Sequence, residues 1–71
     1  MRITETIRHG NYHNVRSAEM EDTYEAFVTF LQASPYATPA IEPGNKYVQD
    51  AYDNLMARGI TWIGWADYTL V

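Results

Sequence analysis

The stretch whose reading decides the fold is the last one, Gly59-Ile60-Thr61-Trp62-Ile63-Gly64-Trp65-Ala66-Asp67-Tyr68-Thr69-Leu70-Val71. Its even positions Ile60, Trp62, Ala66, Tyr68 and Leu70 are apolar, with Gly64 between them. Its odd positions mix Thr61, Asp67 and Thr69 with Ile63, Trp65 and Val71. A period of two in a segment rich in β-branched and aromatic residues predicts a half-buried strand. Both tryptophans of the chain lie in it, so it carries the largest apolar rings available. Read as one strand, it turns Trp62 towards the core and leaves Trp65, with Ile63, on the other face.

Working back from this strand, Gly59 is a natural left-handed residue after a helix, and Arg58 suits the negative end of that helix. Val48, Ala51, Tyr52, Leu55 and Met56 fall at i, i+3, i+4, i+7 and i+8, an amphipathic stripe that starts near Pro43 to Asn45. Lys46 and Asp50 stand four apart on its outer side. Residues 34–42 contain Pro35 and Pro39 and form a loop longer than most helix connections, either functional or a spanning arm. Upstream, Met20, Tyr24, Phe27, Val28 and Leu31 make a second stripe. It predicts a helix over 18–33, with Ser17 as N-cap and Pro35 as its stop.

The front of the chain alternates loosely. Ile3, Glu5 and Ile7 share one face of a strand over Met1 to Arg8, Gly10-Asn11 supplies a turn, and Tyr12 to Arg16 returns. A strict two-residue turn places Ile7 opposite Asn14. A bulged turn gathers Ile3, Ile7 and Val15 on one face and is the version expected. The predicted fold is α+β: a small ββααβ domain, with a three-stranded, mainly antiparallel sheet and two helices packed on one face. The alternative is βααβ with an irregular N-terminus.

Seventy-one residues leave room for a single domain, 1–71, with a thin core. The absence of cysteine removes disulfides and thiolate metal sites. Nine acidic residues against five basic ones give a net charge of −4, which argues against direct binding to nucleic acid or an anionic membrane. An acidic domain instead suits a basic surface on another protein. No apolar run approaches a membrane span and no signal peptide opens the chain, so a cytoplasmic protein is expected.

His9 and His13 have the spacing of two helical zinc ligands, but Gly10-Asn11 lies between them and no adjacent acid completes the set. No metal and no cofactor is expected. Ser17 and Ser34 lack a partner base, and neither a phosphate-binding nor a dinucleotide-binding glycine pattern is present, so no enzyme is expected. Two surfaces remain. Glu21, Asp22 and Glu25 on the first helix, with Asp50 and Asp53 on the second, form one negative surface if the helices pack side by side. Charged outer faces are ordinary in soluble proteins; the sharper reading is that these carboxylates imitate a phosphate backbone. Trp65 and Ile63 form the other surface, an aromatic strand face that marks an interface unless the N-terminal segment or the proline loop covers it. The expected function is a small acidic inhibitor, of a kind common in phages. It would bind a host nucleic-acid-processing or defence protein, of the CRISPR or restriction type, on that protein's basic surface. The alternative is a homo-oligomeric accessory subunit, a homodimer through the Trp65 face.

Overall fold

A computed structural model describes residues 1–34 and 43–71. The terminal stretch is a hairpin in it, and not one strand: β3 (Ile60–Ile63) turns through Gly64-Trp65 into β4 (Ala66–Leu70), with Ile63 opposite Ala66. Gly64 has φ 56° and no non-glycine residue has positive φ among the described residues. A positive φ followed by a negative one is the pattern of the type II′ turn, which favours glycine first and matches strand twist. The turn corrects the predicted faces. Across a two-residue loop the flanking residues face the same way, so the odd positions of β3 share a side with the even positions of β4. Thr61, Ala66 and Tyr68 are buried on that side, whereas Trp62 is 65% exposed. Trp62 is thus not the core residue that uninterrupted alternation predicts, and Ile63, half-buried, packs against the core.

The front of the chain is a second hairpin. β1 (Arg2–His9) pairs with β2 (Tyr12–Glu19) in strict register, Ile7 opposite Asn14 and Glu5 opposite Arg16. The bulged turn is therefore incorrect, and so is the alternative without an N-terminal strand pair. β1 also pairs with β4, Ile3 opposite Leu70, giving a four-stranded antiparallel sheet in the order β2-β1-β4-β3. The chain runs ββααββ, with four strands where three were predicted.

The first helix is shorter than its stripe. α1 covers Tyr24–Gln32, and Thr23 is its N-cap, accepting from the Ala26 N–H at 3.1 Å. Ser17 lies inside β2, its hydroxyl 3.0 Å from that of Thr4. Pairing with β1 claims Ala18 and Glu19 for the sheet against their local helical preference, residues 20–22 form the link, and the helix starts only after the cap at Thr23. α2 (Lys46–Arg58) follows its sequence signals closely. Asn45 caps it, and Gly59, at φ 76°, closes it in the left-handed region. No helix among the described residues is long and apolar enough to cross a membrane. The predicted proline loop, 34–42, lies outside the described residues except for Ser34.

Both helices lie on the face of the sheet that presents Ile3, Ile7, Ala66 and Tyr68. Phe27, Val28, Phe30 and Leu31 of α1 and Val48, Ala51 and Leu55 of α2 complete the core. The Tyr68 ring stands edge-on to Phe27 and Phe30 at 5.8 and 6.3 Å. The opposite face of the sheet carries Thr4, Thr6, Val15, Ile60, Trp62, Asp67 and Thr69, and neither helix covers it.

Candidate functional site

Three acidic side chains from three parts of the chain, Asp22, Glu25 and Asp53, lie near enough to Tyr52 on α2 for their charges to act on its phenol. Asp22, in the link between β2 and α1, accepts from the Tyr52 hydroxyl at 3.4 Å. Partial burial raises the Tyr52 phenol above its ordinary value, and the charges of Asp22, Glu25 and Asp53 push it in the same direction. Tyr24 of α1 packs edge-on against the Tyr52 ring at 5.7 Å, which fixes the distance between the two helices here. Asp53 is held by Gln49, whose amide donates to it at 3.0 Å. None of these three carboxylates has an ion pair among the described residues. The helices thus bring like charges together without neutralising them, and their fields add outward.

The five predicted acidic residues do not all join this group. Glu21 is exposed in the same link as Asp22. Asp50 sits on another flank of α2, where it lines an open groove of about 460 Å³ with Tyr47, Val48, Ala51 and Trp62. A separation of three residues places Asp50 and Asp53 on adjoining strips of the helix, and here each strip faces a different neighbour.

The predicted aromatic face is also rearranged. Trp65 is 68% exposed, but it stands at the tip of the β3–β4 hairpin. Its companion on the surface is Trp62, with Ile60 two residues before it, and Ile63 faces the helices. Across the sheet from Trp62 the row continues Asp67, Thr6, Val15. The centre of the open face is therefore polar, and its apolar residues sit at the two edges. That arrangement suits contact along the β3 edge better than face-to-face stacking of two sheets.

One polar cluster escaped the sequence reading altogether. Glu5 is 1% exposed, and its carboxylate accepts from Arg16 at 3.0 and 3.3 Å and from the Tyr68 hydroxyl at 2.7 Å. Arg16 lies over the Phe30 ring, 3.8 Å from its centroid, and donates to the Phe30 carbonyl at 2.6 Å. α1 has no basic residue in its last turn; Arg16 supplies that charge from the sheet. Burial, and then the hydrogen bond to Glu5, push the Tyr68 phenol far above its ordinary value. The cluster is closed by its own contacts, and no buried side-chain polar atom is left unpaired among the described residues. It serves the fold. The signal was present: strict pairing puts Glu5 opposite Arg16, and opposed charges support a register.

His13 is exposed, and the side chain of His9 is outside the described ones. No group of three or more potential metal-binding side chains occurs among the described residues. The chain matches no protein-family model, no curated protein and no solved structure.

Proposed function

We propose that this chain is a small inhibitor that acts by binding another protein, without catalysis of its own and without metal or cofactor. Its target is a basic, nucleic-acid-binding surface of the sort found on CRISPR and restriction nucleases, met in the cytoplasm. A phage would be a natural source. The observation that carries this reading is the unneutralised acidic surface around Tyr52, where Asp22, Glu25 and Asp53 converge from a link and two helices. Glu21 extends it. Such a surface steers a basic partner into place and competes with the phosphates that the partner normally holds.

The test is affinity capture from a host lysate with the wild-type chain and with a Glu21→Lys, Asp22→Lys, Glu25→Lys variant. The captured protein is expected to bind nucleic acid, to be released by added DNA or RNA, and to be missing from the triple-variant capture. Capture that survives both treatments ends the proposal.

The exposure of Trp62 and Trp65 favours a second reading, a homo-oligomeric accessory subunit that associates through the edge of this hairpin. Light scattering would then give a multiple of the 8.2 kDa chain mass, reverting to a monomer in Trp62→Ala.

A further inference from the structure

The groove beside Asp50 and the outer edge of β3 form a single concave feature. The Leu70 N–H donates to the Gly59 carbonyl at 2.9 Å, which sets the phase of the antiparallel ladder. Bonded pairs alternate with unbonded ones, so Gly59, Thr61 and Ile63 turn their backbone groups towards β4. The N–H and C=O of Ile60 and Trp62 then point outward, since β3 is an edge strand. α2 leads directly into β3 through Gly59 and runs beside it in the opposite direction. Its flank supplies Tyr47, Val48, Asp50 and Ala51 as one wall of the groove, and Trp62 and Ile63 belong to the other.

We infer that this groove takes an extended peptide segment bearing a lysine or arginine, which adds to the sheet as a fifth strand beside β3. Main-chain bonds to Ile60 and Trp62 would hold it, the mode of β-strand addition. The residue opposite Trp62 lies on the open face, against the indole. Its neighbours point into the groove, one onto Val48, Ala51 and Ile63, the other within reach of Asp50. The volume, about 460 Å³, lies in the range of ligand sites that enclose a few side chains. Charge selects a basic segment, because the Asp50 carboxylate has no ion pair among the described residues. A second copy of this chain, the second reading above, is the rival occupant and is disfavoured by charge. Pairing two β3 edges would bring together molecules that each carry net charge −4, whereas a basic segment meets the groove with the opposite charge. The site lies apart from the carboxylates around Tyr52, so either proposal can fail alone.

The experiment pans displayed random heptapeptides against the intact chain at low salt, then titrates the synthetic winner into ¹⁵N-labelled protein. Basic peptides with alternating apolar residues are expected, with new exchange protection at the Ile60 and Trp62 amides. Trp62→Pro removes the outward N–H at a position where an edge strand tolerates proline. It should weaken binding about tenfold relative to Trp62→Ala, the scale of one hydrogen bond, with circular dichroism unchanged in both. Asp50→Asn should cost about two- to fivefold, as exposed ion pairs do. Methylating the peptide amides that face β3 should abolish binding. The inference is overturned by a failure to enrich any peptide, or by protection at His13, Val15 and Ser17 on the β2 edge instead. Equal affinities in Trp62→Pro and Trp62→Ala, or an unchanged affinity in Asp50→Asn, would also sink it. So would a dimer of the chain alone in which Ile60 and Trp62 are already protected.

Discussion

Glu5 is the residue on which the interior depends most sharply. A buried carboxylate is tolerable only while its partners hold, and removing one of them leaves a bare charge in the core. Arg16→Met should therefore cost about 3–5 kcal/mol, comparable with the whole stability of a domain this small, roughly 4–10 kcal/mol. Pairing it with Glu5→Leu should recover most of the loss, which urea titration of the single and double variants would measure. The phenol of Tyr68 gives a pH signature. Its folded value is raised above the ordinary 10.0, so below pH 10 both states keep the proton and the contribution is complete. Above pH 10 the unfolded chain releases its proton first, and stability should fall by up to about 1.4 kcal/mol per pH unit. Melting between pH 9 and 11.5 should show this slope, reduced in Tyr68→Phe. Trp62 is the converse case. With its ring in solvent, Trp62→Ala should shift stability by no more than about 0.5 kcal/mol, and iodide should quench both indoles. A Trp62 fluorophore shielded from iodide in a monomer would contradict the hairpin.

Among the elements, the β3–β4 hairpin shows what alternation can and cannot convey. Apolar and polar residues do alternate on either side of Gly64, so strand was the right state for both halves. The phase changes at the turn, and phase decides which side chains are buried. The sequence marks that change only by a glycine preceding a tryptophan, a faint signal beside the Asn-Gly type of turn. Gly64→Ala should destabilise by about 1–2 kcal/mol, the cost of a side chain in the left-handed region, and thermal melts would detect it. α2 was legible to its caps because Asn45, the stripe and Gly59 all agree. α1 was not, because residues 18–22 follow its period and yet Ala18 and Glu19 are claimed by the strand opposite β1, with residues 20–22 in the link that follows. Thr23→Ala, which removes the observed cap, should cost about 1 kcal/mol, whereas Ser17→Ala should cost less than that.

At the scale of the whole molecule, the class, the two helices and their packing on a sheet followed from composition and periodicity. The fourth strand and its place beside β1 did not, since they depend on the hidden turn. The acidic surface was legible as a set of charges, but its membership depends on the fold: Asp50 faces the β3 groove, and Asp22 is brought in by Tyr52. If that surface meets a basic partner, affinity should fall steadily between low and physiological salt as screening shortens the reach of the field. The triple lysine variant should show a flat or inverted salt response by calorimetry, with its circular dichroism native-like.

The pairing of β1 with β4 also sets a clock. The bond from Tyr68 to Glu5 joins residues 63 apart, and the sheet has no centre until β4 arrives. During synthesis the first hairpin and both helices must wait, their shared apolar side uncovered, until residues 66–70 clear the ribosome. Folding governed by so distant a contact is slow for the chain's length. A nascent chain stalled before Ala66 should be cleaved by proteases as if unfolded, and one carrying an added C-terminal linker long enough to bring Leu70 out of the ribosome should resist them.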